Sequence, residues 1–372
     1  MLVGVPVALG AETGTPSDVI TRGVINGPGT CATSGCHGGA SEMGRQFVIW
    51  SQRDVHTRSY ATLTSARSAR MAEALKISDP TKSATCTACH APLQTVEPAM
   101  LASDAHVEDG VACATCHGVA SEDWLRRHTR PDWTHADRVA AGMRDLRNLY
   151  GRANNCVACH QNIDPQIVKV AHHPQLIFEL DGQAASEPKH WREIAGWQGA
   201  QAWYVGQNVA LREMSWALAN AHADPALDAP RWAGLLWVLQ HSVGDDSIPS
   251  VKGVAADTTS ASFAAAMDAA DQSAKRAAEI TWSTDTTRSV LKNLAASHPA
   301  FLDATVAKDV QAYRAERLVL ALDRVTASLP ANQRPAAAGA PLDKLFQLAQ
   351  SIPDFAPAEF AKALATFEQA LN

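Results

Sequence analysis

Three copies of one short pattern, Cys-x-x-Cys-His, constrain what this 372-residue chain can fold around. They read CTACH at residues 86–90, CATCH at 113–117 and CVACH at 156–160. One helical turn between the two thiols lets them reach the two vinyl groups of a haem, and the next residue places its imidazole under the iron. The pattern is therefore typical of covalent c-type haem attachment.

Zinc is the alternative for paired cysteines, since Cys-x-x-Cys pairs form half of many zinc sites. Zinc does not require a histidine directly after each second cysteine, so the repeated histidine favours haem. The sequence predicts haem attachment at Cys86, Cys89, Cys113, Cys116, Cys156 and Cys159, with His90, His117 and His160 as the proximal iron ligands.

A fourth segment, CATSGCH at residues 31–37, departs from the pattern because four residues separate its two cysteines. A serine and a glycine between them suit a bulge that keeps the two sulfur atoms at the usual separation. Beside three regular copies, this segment predicts a fourth haem attached at Cys31 and Cys36, with His37 as its proximal ligand. The alternative is a disulfide between the same two cysteines.

Composition narrows the class of protein. All eight cysteines lie between Cys31 and Cys159, and a disulfide framework would not leave the rest of the chain without any. The formal net charge is −6, and no basic run or stripe is present, so a nucleic-acid partner is not expected. No stretch of 18 apolar residues occurs, so no transmembrane segment is expected either.

Two parts of the chain differ in their patterning. Residues 28–195 hold the cysteines and most of the histidines, and their hydrophobic periodicity is weak. Residues 196–372 are rich in Ala and Leu at helical spacing. We predict a mainly α protein in which a loop-rich multihaem cytochrome c domain is followed by an α-helical bundle domain. Residues 1–27 are predicted to be the remnant of a secretory signal, or a flexible N-terminus, because residues 2–9 are apolar.

The second part is predicted to hold four to six packed helices. One begins after Asp228 with Pro230 in its first turn, and a loop is predicted over residues 330–341. The apolar positions expected to face the core are Trp232, Leu235, Leu236, Leu239, Phe263, Met267, Ala270, Ala274, Ala277, Leu318, Leu322, Val325, Leu329, Phe360, Leu364 and Phe367.

Several segments around the motifs resemble cytochrome c554-type multihaem proteins. They are WSQRDVH (50–56), GVACATCHG (110–118) followed by WLRRH (124–128), and RANNCVACH followed by AHHPQLIFEL (171–180) and PKHW (188–191). The resemblance spans roughly residues 28–195, and it implies haems arranged in a chain of stacked and near-perpendicular pairs.

The resemblance also implies that loops before and after the motifs supply a second axial histidine to each iron. Carried over by matching motif, the distal candidates are His56, His106, His128 and His173. His172 competes with His173, which precedes a proline that aims its ring. His135 and His190 are reserve candidates, and none of the seven methionines lies in a context that favours ligation.

Three functions are compatible with these residues. The first is electron transfer through four covalent haem c groups between redox partner proteins, outside the cytoplasm in the periplasm or extracellular space. The helical domain would then serve docking, assembly into a complex or oligomerisation. The second is an enzyme in which one open iron acts on a small nitrogen species, with Asp104, Glu108, His135 and Arg130 available to its distal pocket. The third is a structural, electron-conducting subunit of a larger complex or filament.

Overall fold

A computed structural model describes residues 24–42, 44–118, 122–193, 198–244, 248–350 and 354–371. The described residues are mainly α-helical and include no strand, only an isolated parallel bridge between Ile25 and Leu101. This confirms the predicted fold class of loop-rich and helical segments. In the same residues, no helix has both the length and the apolar character needed to span a bilayer.

The chain separates into two compact units. The first, called the motif unit here, contains the described residues up to Cys159 together with Gln166–Gln175 and 187–193. The second, called the bundle unit, contains His160–Pro165, Leu176–Ser186 and the described residues from 198 onward. Each unit is discontinuous in sequence, because the chain between 160 and 186 contributes to both.

Helices are short in the first part of the chain. In order they are α1 (Pro28–Cys31), α2 (Gln46–Arg53), α3 (Ser59–Leu63), α4 (Ala66–Ala74), α5 (Ala84–His90), α6 (Cys113–His117), α7 (Glu122–Arg127), α8 (His135–Ala140), α9 (Leu149–His160) and α10 (Pro165–Lys169). Single 3-10 turns lie between them at Val55–Arg58, Pro92–Thr95, Pro98–Met100 and Val107–Asp109. Side-chain caps fix several starts, such as Ser65, which accepts from the backbone N–H of Ser68 before α4.

The motif unit has little apolar core of its own. Its described cluster of buried side chains consists of Ile25, Leu93, Val96 and Ala105. Of the twelve largest fully buried side chains among the described residues, Ile25 is the one that belongs to this unit. A unit of this size with so few large buried side chains needs another apolar component to hold it together.

The bundle unit has long helices and a dense core. Its helices are α11 (Leu180–Ser186), α12 (Gly199–Ala219), α13 (Pro225–Ser242), α14 (Ser260–Glu279), α15 (Thr284–Ala295), α16 (Lys308–Ser328), α17 (Gly339–Ala349) and α18 (Pro357–Gln369). Two 3-10 turns lie at His298–Leu302 and Ala331–Gln333. Helix α12 packs against α13 and α14, and α13 packs against α16.

Helix α12 is buried on nearly all sides, so its polar side chains need internal partners. Gln201 donates through Nε2 to the carbonyl of Ala277 at 2.9 Å. Ser215 accepts from the indole Nε1 of Trp232 at 2.8 Å, and Arg212 pairs with Asp271 at 2.8 Å. These bonds tie α12 to both of its neighbours.

The predicted helical faces correspond to buried positions except at Met267, which is half-buried, and two boundaries and the number of helices were wrong. Helix α13 begins at Pro225, because Asp224 caps it by accepting from the N–H of Ala226, and Pro230 lies inside the helix. Helix α17 begins at Gly339 within the predicted loop. A proline is tolerated in its first turn because those N–H groups have no intrahelical acceptor. The described residues from 198 onward form seven α-helices, not four to six.

Candidate haem-binding sites

The three regular motifs share one local structure. We number the four motifs along the chain as motif 1 (31–37), motif 2 (86–90), motif 3 (113–117) and motif 4 (156–160). Motifs 2, 3 and 4 lie in α5, α6 and α9, and in each case the histidine is the last helical residue. Two cysteines three positions apart lie on one face of a helix, so both thiols of a motif point to the same side.

Motif 1 has a different backbone. Cys31 ends the short helix α1, and a turn follows over residues 34–37. The N–H of His37 donates to the carbonyl of Cys31 at 3.1 Å, which closes the longer loop on itself. Asp104 anchors α1 from outside, because its carboxylate accepts from the backbone N–H of Thr30 at 2.9 Å and from its hydroxyl at 2.7 Å. The extra residues are thus accommodated in a defined turn.

The eight cysteines, all of them in the described part of the chain, are free thiols. The thiol of Cys113 donates a hydrogen bond that lowers the pKa of Cys31, so motif 1 contacts motif 3. In the same way Cys159 donates to Cys89 and lowers its pKa, so motif 2 contacts motif 4. Burial raises the pKa of Cys156 to about 12, and the neighbouring thiol of Cys116 raises it further.

Three of the motif histidines each face a second histidine. The ring centroids of His37 and His128 are 6.2 Å apart with an interplanar angle of 16°. Those of His90 and His173 are 6.5 Å apart, and those of His117 and His190 are 6.2 Å apart. A metal–nitrogen bond of about 2 Å on each side places two coaxial imidazole centres about 6 Å apart. The separations therefore fit an iron between the two rings of each pair.

Hydrogen bonds at Nδ1 orient most of these rings. His37 donates to the side-chain oxygen of Gln46 at 3.0 Å, and His128 donates to the carbonyl of Trp124 at 3.0 Å. His90, His173 and His190 lie 3.3, 2.8 and 3.4 Å from the carbonyls of Ser59, Pro174 and Pro188. Since a carbonyl oxygen can only accept, Nδ1 carries the proton, and the lone pair of Nε2 is available to a metal.

The ring of His117 is held neutral by its surroundings. Burial, with His190 and His37 nearby, lowers the pKa of His117 to about 4. Burial also lowers the pKa values of His90, His128 and His190. A neutral imidazole has the lone pair that metal ligation requires, so the donor set suits iron.

His56 lies in a polar cluster on the 3-10 turn Val55–Arg58. Its Nδ1 is 2.9 Å from Oδ1 of Asp54, a carboxylate that is 3% exposed. This hydrogen bond raises the pKa of His56. Glu187 completes the cluster, and one ligand atom from each of the three residues lies within 4.8 Å of the others. Burial, then the Asp54 carboxylate, raises the pKa of Glu187 to about 7.

The histidine that faces His117 is His190, not the distal candidate His106. His106 is exposed and precedes the 3-10 turn Val107–Asp109, where its N–H donates to Asp109 at 2.9 Å. His190, a reserve candidate, occupies the position facing His117. The sequence around His190, Pro-Lys-His-Trp, gave only a weak indication of ligation. In the structure Trp191 packs edge-on against the ring of His190, with ring centroids 5.1 Å apart.

The second reserve candidate, His135, and the competitor His172 are placed differently. His135 directs Nε2 to Asp145 at 2.9 Å, so that nitrogen is engaged by a carboxylate. His172 is exposed and has a backbone φ of 55°, and the neighbouring His173 is the residue that faces His90. Trp124 stacks on His128 at 4.2 Å and so supports a distal ring from behind.

Comparison with known families addresses the first three motifs. Residues 30–118 match the family model described as cytochrome c554 and c-prime. Residues 30–118 are therefore similar to this family, and we call them the cytochrome c554-type segment. The match confirms the predicted resemblance over these residues, and the irregular motif 1 lies inside it. No curated protein and no solved structure gives a significant match to the chain.

The cytochrome c554-type segment implies covalently bound haem c with iron, and c-type cytochromes carry electrons. Motif 4 and the three facing histidines, His128, His173 and His190, lie beyond the matched residues. Their assignment rests on the geometry described above.

Proposed function

We propose that this chain is a tetrahaem c-type cytochrome that carries electrons between redox partners. The observation that carries the proposal is the set of three imidazole pairs with ring centres 6.2 to 6.5 Å apart. Each pair joins the histidine of a haem-attachment motif to a histidine far away in sequence. Chance packing of loop histidines would not repeat one separation three times, each time on a motif histidine.

The residues assigned to each haem follow from these pairs. Motif 1 is assigned Cys31, Cys36, His37 and His128, motif 2 is assigned Cys86, Cys89, His90 and His173, and motif 3 is assigned Cys113, Cys116, His117 and His190. Motif 4 supplies Cys156, Cys159 and His160. His56 is assigned as a further axial ligand, and His106 is replaced by His190. When bound, each haem iron accepts and releases one electron.

Contacts between motifs suggest a route for electrons. Cys31 contacts Cys113, and Cys89 contacts Cys159, so motif 1 neighbours motif 3 and motif 2 neighbours motif 4. Cys116 and Cys156 are close enough to interact electrostatically, which links motif 3 to motif 4. The proposed order of haems is therefore 1, 3, 4, 2, with motifs 1 and 2 at the two ends.

Paired histidines favour electron transfer over catalysis. Where two imidazoles face each other across the iron position, both axial places are taken and no site is left for a substrate. The bundle unit contributes no residue to these three imidazole pairs, although His160 of motif 4 belongs to it, and we assign the rest of this unit to docking or assembly. We place the protein in the periplasm or outside the cell, where c-type haems are attached, and its net charge of −6 suits a basic partner surface.

Redox titration combined with paramagnetic resonance tests this function. We expect the oxidised protein to take up four electrons per chain and to show low-spin haem signals alone. Added nitric oxide is expected to leave those signals unchanged, because no axial position is open. A high-spin signal that nitric oxide removes would instead support an enzyme with one open iron acting on a small nitrogen species.

A further inference from the structure

The acceptor at Nδ1 sets His56 apart from five other candidate ligands. Four of them, His90, His128, His173 and His190, lie against backbone carbonyls, and His37 lies against a side-chain amide. All five of these acceptors are neutral. The acceptor of His56 is the carboxylate of Asp54, at 2.9 Å.

Asp54 is fixed in place by several bonds besides this one. Its Oδ1 also accepts from the backbone N–H of His56 at 2.9 Å, so the side chain caps the 3-10 turn. The hydroxyl of Thr57 donates to the backbone carbonyl of Asp54 at 3.0 Å. With 3% of its surface exposed, the carboxylate is shielded from solvent and keeps one orientation toward the imidazole.

A buried carboxylate changes the electronic character of the imidazole that donates to it. It draws the Nδ1 proton toward itself, so Nε2 becomes a stronger electron donor to a metal. The negative charge also interacts with the iron through a medium of low dielectric constant, where such interactions are strong. Both effects stabilise ferric iron, the more positive state, relative to ferrous iron.

We propose that Asp54 is a positioning residue that lowers the reduction potential of the iron ligated by His56. The inference rests on the proposed function, since it requires His56 to be an axial ligand. The carboxylate makes this iron harder to reduce and easier to oxidise than a neutral acceptor would. Asp54 thus gives one haem of the chain a distinct potential.

Asp54→Asn tests the charge while preserving shape, because the asparagine oxygen can still accept from both N–H groups of His56. The preference of that iron for the ferric state is expected to fall about tenfold, which for a one-electron couple is an upward shift of about 59 mV. One midpoint in a spectroscopic redox titration should rise by this amount, and the iron at His190, which the Asp54 charge also reaches, should show a smaller rise. The low-spin signals should stay unchanged.

Gln46→Glu is the matched reciprocal variant. It places a carboxylate where the Gln46 oxygen now lies, 3.0 Å from Nδ1 of His37. A midpoint other than the one that Asp54→Asn raises is expected to fall by a similar amount. Because Glu187 belongs to the Asp54 cluster, all proteins are titrated at one fixed pH. This arm keeps the inference testable if Asp54→Asn fails to fold.

His56→Ala separates the inference from the proposed function. If this variant converts one haem to the high-spin state, the ligand role of His56 stands. Unchanged midpoints in both Asp54→Asn and Gln46→Glu would then overturn the role of Asp54 alone. If His56→Ala leaves every haem low-spin, His56 is not a ligand, and the inference fails together with that part of the proposed function.

Discussion

Replacing His190 with alanine is expected to convert one of the four haems from low-spin to high-spin. About a quarter of the total haem absorbance should change, because the proposed iron at His117 loses its second axial ligand. That iron should also begin to bind nitric oxide. Optical and paramagnetic resonance spectra of the oxidised variant provide the measurement, with haem content per chain determined in the same sample.

His106→Ala is the matched control for His190. Both histidines lie in the loop-rich part of the chain, but His106 is exposed and His190 faces His117 with ring centres 6.2 Å apart. The control is expected to keep all haems low-spin. A high-spin haem in His106→Ala, together with an unchanged spectrum in His190→Ala, would restore the assignment that the family resemblance first suggested.

A chain without attached haem is expected to keep its bundle unit and to lose its motif unit. Replacing all eight cysteines with alanine prevents attachment. Eleven of the twelve largest fully buried side chains in the described residues belong to the bundle unit, so its core survives. The motif unit depends on porphyrins for its apolar interior, as other cofactor-dependent domains depend on their ligands.

Hydrogen exchange monitored by mass spectrometry separates the two units in one experiment. In the haem-free chain, strong protection should persist in α12, α13 and α16 and should be absent from α5 and α9. The haem-loaded protein, measured alongside, should show protection in all five helices. Persistent protection of α5 and α9 without haem would show that the motif unit folds on side-chain packing alone.

Local sequence patterns predicted the helix faces and the haem-attachment motifs, because both depend on residues close together in the sequence. The spacing of Leu318, Leu322, Val325 and Leu329 sets one face of α16 and its C-terminal end, and all four side chains are buried. Covalent attachment requires adjacent residues, so three of the haem motifs could be recognised directly in the sequence. The mainly α fold followed from the same kind of pattern.

Long-range relationships could not be predicted in this way. His117 and His190 meet only after the intervening chain has folded. The residues next to each histidine in the sequence do not indicate that the two will pair. The segment Leu176–Ser186 was expected in the haem domain, but it belongs to the bundle unit. There Nε2 of Gln207 donates to the carbonyl of Phe178 at 2.9 Å, and no local sequence pattern predicts this hydrogen bond.

The most direct test of the account is the mass of the intact, denatured chain, followed by mapping of its haem-bearing peptides. We predict four haem additions, one of them on the peptide that contains Cys31, Cys36 and His37. This peptide decides the number of haems, because its cysteine spacing is irregular and its loop is closed by the bond from the N–H of His37 to the carbonyl of Cys31. Three haem additions, together with a disulfide between Cys31 and Cys36, would contradict the tetrahaem assignment.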